Sequence, residues 1–139
     1  MQINSTTDLK NADSLALASE AVKVLLEKKG LDVRMFDVTE SSSITDFYVN
    51  ATGRSTTQTA ALADDVVEML GARGAEVLRV EGRKGNNWLL VDYGNVIVNV
   101  FDKPTREFYD FDRHLPKESQ MDISALVAEV DAKFDLNRK

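Results

Sequence analysis

Trp88-Leu89-Leu90-Val91-Asp92-Tyr93-Gly94-Asn95-Val96-Ile97-Val98-Asn99-Val100-Phe101 decides how the chain folds. Apolar, mostly β-branched or aromatic residues run on either side of Gly94-Asn95, a two-residue hairpin signal, so the stretch predicts antiparallel strands over residues 88–92 and 96–101. Residues 77–80 add a third strand, joined to the pair through Gly82-Arg83-Lys84-Gly85-Asn86-Asn87, and the three make a meander.

Upstream, Leu15, Ala18, Val22, Leu25 and Leu26 share a helical stripe over residues 13–29, with Asp13 placed to cap its start and Gly30 its end. Residues 33–38 read as a mostly buried strand, and Ser41-Ser42-Ser43 breaks the pattern. Residues 46–52 alternate, with Phe47, Val49 and Ala51 on one face and Tyr48, Asn50 and Thr52 on the other, the period of a half-buried strand that Gly53 ends. Ser55 with Gln58 makes a capping box for a second helix, whose Leu62, Val66 and Met69 face inward and whose Asp64 and Glu68 face out; Gly71 and Gly74 give it a place to stop. Downstream, Pro104 suits the first turn of a third helix that carries Arg106, Phe108, Tyr109 and Phe111 and closes at Pro116. After a polar linker, Ile123, Leu126, Val127, Val130 and Phe134 form the stripe of a C-terminal amphipathic helix, free to pack on its own domain or on a partner. The order predicts an α/β (α+β) fold, a mixed five-stranded sheet flanked by helices plus a C-terminal helix.

Composition narrows the function. The 139 residues suffice for one domain with one core. There is no cysteine, hence no disulfide framework or thiolate site, which favours a reducing compartment, and cytoplasm is expected. No stretch approaches the roughly 18 apolar residues of a membrane span. A formal charge of -6 disfavours direct contact with RNA or DNA and suits a basic protein surface.

Catalytic signals are few. His114, the only histidine, sits at a helix end beside Asp112 and Arg113, where solvation or the helix dipole accounts for it. Asp64 and Asp65 are helix neighbours pointing about 100° apart, so they do not converge on a metal; no metal and no cofactor is expected. Thr52-Gly53-Arg54-Ser55, between strand and helix, is the strongest enzymatic hint, since backbone N–H groups there can hold a phosphate. A nucleotide-binding transferase built on residues 52–55 is therefore the alternative reading, although a turn plus a helix cap also explains all four residues.

Recognition signals are richer. Trp88, Leu90 and Asp92 share one strand face, and Tyr93 at the hairpin tip is expected to be partly exposed. Trp88, Tyr93, Arg106 and Tyr109 are candidate anchors, because such side chains bury large areas and still offer a hydrogen-bonding group. Against this, a lone Trp in a small domain is more often core than contact, and Phe108 with Tyr109 can simply fix the third helix to the sheet.

Five segments in order carry a resemblance: Ser42-Ser43-Ile44-Thr45-Asp46-Phe47-Tyr48-Val49, Ala51-Thr52-Gly53-Arg54-Ser55, Val80-Glu81-Gly82, the hairpin residues 88–101, and Arg106-Glu107-Phe108-Tyr109. In spacing and content the chain resembles the ribosomal silencing factor (Iojap-like) family, with a domain over residues 12–115 followed by a linker and C-terminal helix over 116–139. The resemblance implies a nucleotidyltransferase-like topology without the paired catalytic aspartates of those enzymes. It implies a protein that binds the large ribosomal subunit through its protein fourteen, blocks joining of the small subunit and lowers translation when nutrients run short. It also implies homodimers when free; hydropathy and charge, as above, argue for no membrane and no direct sequence-specific nucleic acid. The expected partner-binding set is Trp88, Asp92, Tyr93, Asn99, Arg106 and Tyr109. Two positions depart from the family pattern: Asn99 stands where a histidine is common, and His114-Leu115 where a Leu-Trp pair is common.

Overall fold

The Asp13 carboxylate accepts the Ala16 N–H at 2.8 Å, satisfying one of the free donors of a first helical turn, and so caps α1 (Ser14–Glu27). In the computed structural model, which describes residues 8–137, α1 buries Leu17, Ala18, Ala21, Val22, Val24 and Leu25, while Leu15 in its first turn stays exposed. The helix does not end on Gly30 as expected. Lys29 takes the left-handed conformation, with φ 70, and Gly30 serves close packing instead: a Cβ there would lie 3.0 Å from the Leu25 carbonyl oxygen.

Strands β1 (Leu31–Asp37), β2 (Phe47–Gly53), β3 (Arg79–Glu81), β4 (Trp88–Asp92) and β5 (Val96–Asp102) form one sheet in the order β1-β2-β5-β4-β3. β2 and β5 run parallel and every other neighbouring pair antiparallel, so the sheet is mixed. The β4–β5 hairpin turns on Gly94-Asn95: Tyr93 N–H donates to the Val96 carbonyl and Gly94 takes φ 89. α2 (Thr56–Gly71) starts at Ser55, whose hydroxyl accepts the Gln58 N–H.

One face of the sheet presents Phe47, Val49 and Ala51, Leu89 and Val91, and Val96, Val98 and Val100, against which α1 and α2 bring Ala18, Val22, Leu25, Leu62, Val66 and Leu70. Fully burying each such Val or Leu is favourable by about 1.5–3 kcal/mol, and this layer is the core. The other face is covered as well. β2 is therefore buried on both sides, not half-buried, and only Tyr48 keeps partial access.

The cover is α3 (Lys103–Tyr109) and a 3-10 turn (Phe111–His114). The expected single helix to Pro116 does not form, because Asp110 adopts φ 51, ψ 45 and its N–H closes back on the Arg106 carbonyl. That left-handed residue turns the chain so that Phe111 and Asp112 reach the sheet. Beyond it, Met121 N–H donates to the Met35 carbonyl along the outer edge of β1. α4 (Ser124–Asn137) packs on α1: Lys23 Nζ lies 2.8 Å from Glu20 and 2.7 Å from Glu129, and Lys133 pairs with Glu27 at 2.9 Å. The C-terminal helix thus packs on its own domain. Among the described residues no helix is long and apolar enough to cross a membrane.

Candidate functional site

The second face of the sheet is organised from α3. Asp102 ends β5 and caps the helix, accepting the Thr105 N–H at 3.0 Å and the Asn87 amide at 2.8 Å. Burial pulls its carboxyl upward, but the hydrogen bonds from Thr105 and Asn87 outweigh this and hold it below the usual carboxylate range. One turn on, Arg106 is 8% exposed and reaches across the sheet, where Nη1 donates to Thr52 Oγ1 and to the Asp32 carbonyl, both at 2.9 Å, and Nη2 donates to Asp112 Oδ2 at 2.6 Å. The other Asp112 oxygen accepts the Asn50 amide at 2.5 Å. Asn50 Oδ1 accepts from Asn99 Nδ2 at 3.0 Å, and Asn99 Oδ1 accepts the Trp88 indole N–H at 2.9 Å. A continuous polar row thus crosses β4, β5 and β2 and ends on a carboxylate and a guanidinium.

Register explains the row. Asn50 and Asn99 are partners in the parallel β2–β5 pair, and Trp88 faces Phe101 on β5 one position along the same face. Around the amides lies an aromatic cluster: the Trp88 ring centroid is 4.8 Å from Phe101, 5.1 Å from Tyr109 and 5.9 Å from Phe111, and Tyr48 meets Phe111 edge-on at 5.1 Å. At the rim, Tyr109 is 51% exposed and Phe108 81% exposed. Gly82 lets β3 close on this edge, since a Cβ there would lie 2.0 Å from the Trp88 carbonyl oxygen. Outside Arg106 a cleft of about 650 Å³ opens between β1 and α3, lined in part by Leu31, Arg34, Phe36, Lys103, Leu115 and Lys117.

Of the expected partner-binding residues, the fold brings Trp88, Asn99, Arg106 and Tyr109 together. Asp92 shares their face farther along β4, where it pairs with Arg79 at 3.2 Å and accepts the Gly94 N–H at 2.7 Å. Tyr93 is elsewhere. It is 8% exposed and follows Asp92 by one strand position, which turns it to the α1–α2 side, and burial pushes its phenol far above the ordinary value. The expectation of a partly exposed Tyr93 is corrected accordingly. Asn99, at 1% exposure, lies beneath the surface.

Asn50, Asp110 and Asp112 escaped the sequence reading, as did the exposure of Phe108. The available signal was one amide in the middle of each of two apolar strands, Asn50 and Asn99, where an unpaired polar group is costly and a partner is implied. The residues 52–55 each have a structural use: Thr52 accepts from Arg106, a Cβ at Gly53 would lie 2.7 Å from Thr59 Oγ1, Arg54 donates to the Lys29 carbonyl, and Ser55 caps α2.

The model of the family described as "Ribosomal silencing factor during starvation" matches residues 11–138. The chain belongs to this family. A ribosomal silencing factor of Haemophilus influenzae is 34% identical over 99 residues, covering 71% of this chain and 97% of the relative. Its counterpart from Halalkalibacterium halodurans is 32% identical over 105 residues, covering 76% and 87%. A crystal structure of a Chromobacterium violaceum protein superposes with a TM-score of 0.71 at 31% identity, covering 73% of this chain and 84% of that one. The family and its relatives by name tie this fold to the ribosome and to the regulation of translation.

Proposed function

We propose that the chain binds the large ribosomal subunit through its protein fourteen and, lodged there, obstructs the small subunit by bulk, lowering translation in the cytoplasm when nutrients run short. No bond is made or broken in this reading. Family membership supports the ribosomal setting. The observation that carries the docking surface is the exposed Phe108–Tyr109 pair on a helix fastened to the sheet by fully partnered buried groups: large aromatic rings facing water on a rigid base suit an interface anchor. Phe108, Tyr109, Trp88 and Asp92 are the contact residues, with Arg106 and Asn99 holding them from below and Tyr93 supporting the hairpin from the core side. A net charge of -6 favours encounter with a cationic protein patch and disfavours the surrounding RNA. When the chain is free, a homodimer through the same rim covers the two rings.

Co-sedimentation of the purified chain with large subunits tests the reading. Wild type pellets with them, more strongly at low salt, and Asp92→Arg and Tyr109→Ala pellet less. Wild-type chain that stays in the supernatant at both salt concentrations contradicts it.

A further inference from the structure

We propose that Asn99, backed by Asn50, is the positioning residue of the docking face: it locks the Trp88 indole to the segment that carries Tyr109, so that β4 and α3 present their rings in one fixed relation. Its effect on binding rests on the docking reading above; its effect on the indole does not.

The chemistry of the two ends fixes everything between them. An indole N–H only donates and a carboxylate only accepts. The Asn99 oxygen must therefore face Trp88 and the Asn50 nitrogens must face Asp112, which leaves Asn99 Nδ2 to donate to Asn50 Oδ1, as found at 3.0 Å. Neither amide can flip without setting two donors or two acceptors against each other. All three bonds point the same way, toward the charged group, so each polarises the next. The carboxylate that terminates the row is itself held by Arg106, which is anchored on Thr52 and the Asp32 carbonyl.

Ring contacts alone do not give such a lock. Trp88 lies 4.8–5.9 Å from Phe101, Tyr109 and Phe111 at interplanar angles of 38°, 55° and 68°, contacts that engage the rings and leave the indole N–H without an acceptor. The hydrogen bond to Asn99 is the one directional tie given to the indole among the described residues. Asn99 touches no partner, so its influence on docking passes through Trp88.

Because the chain has a single tryptophan, its indole N–H gives one resolved proton signal in the full-length protein. The wild-type indole proton exchanges with solvent at least about tenfold more slowly than a free indole, as a hydrogen-bonded, half-buried N–H does. In Asn99→Leu exchange speeds up and affinity for large subunits falls about tenfold, whereas Asn99→His, whose neutral ring keeps an acceptor, restores slow exchange. Free-indole exchange in wild type overturns the proposal, and so does an Asn99→Leu variant in which either the exchange or the affinity is unchanged. If Asn99→Leu does not fold, the wild-type and Asn99→His exchange rates decide. Failure of the wild-type chain to sediment with large subunits would instead strike the docking reading, leaving the indole result standing.

Discussion

Arg106 Nη2 and Asp112 Oδ2 meet at 2.6 Å across the left-handed turn at Asp110, and this contact fastens a seven-residue helix to the middle of the sheet. A helix that short has no stability of its own in water. Its place, and that of the exposed rings at its end, depends on the groups that bind it from below.

Arg106→Met takes the nearer cation from the Asp112 carboxylate, in a site where both side chains are nearly buried, and leaves it only the half-exposed Arg34 at 3.8 Å. Breaking such a pair costs about 3–5 kcal/mol. Urea unfolding of the variant against wild type measures the loss, and a second change, Asp112→Leu in the same chain, recovers part of it because no charge is then stranded.

Asp110 holds φ 51, a conformation that costs a residue with a Cβ about 1–2 kcal/mol relative to glycine, less when an Asp or Asn side chain can bond locally. Asp110→Gly keeps or slightly raises the unfolding midpoint, and Asp110→Ala lowers stability by about 1 kcal/mol. The exposed Asp110–Arg113 pair at 3.3 Å adds little to either difference.

The rim residues separate binding from folding. Phe108→Ala changes stability by less than about 0.5 kcal/mol, because the ring is in water already. Tyr109→Ala weakens binding to large subunits by about 2 kcal/mol, roughly thirtyfold, if it is an anchor of the usual strength. Calorimetry on the free chain and titration against purified subunits read the two effects independently.

Lys23 joins α1 to α4, and its pKa carries a sign that can be checked. Burial pulls the ammonium down, but hydrogen bonds and attraction from Glu129 and Glu20 outweigh it and leave the group above its ordinary 10.5. A raised folded-state pKa means that the contribution is fully present below 10.5 and is lost as pH climbs through the higher folded value. Burial of Tyr48 and Tyr93 raises their phenols and also weakens the fold in alkali, so the informative quantity is the difference between wild type and Lys23→Met. That difference is constant from pH 6 to 9 and shrinks above 10.5.

Much of this architecture was legible because it rests on local pattern. Gly94-Asn95 between apolar runs gave the hairpin, Asp13 and Ser55 gave two helix starts, and the element order gave a mixed sheet. The end of α3 was not legible: aspartate tolerates the left-handed region without demanding it, and the spacing from Arg106 to Phe111 fits a continuing helix equally well. Asn50 was assigned to the correct face, yet its burial depends on Asp112, 62 residues away, which no local period reveals. The burial of Tyr93 has a simpler cause. Strand alternation carried one residue past Asp92 turns the ring inward, because the turn begins only at Gly94.

The most direct test is light scattering of purified large and small subunits mixed with increasing amounts of the chain. The account predicts that joined ribosomes fall toward zero as the chain saturates the large subunit, and that Tyr109→Ala needs a much higher concentration for the same effect. Subunit joining that is unaltered at saturating wild-type chain contradicts it.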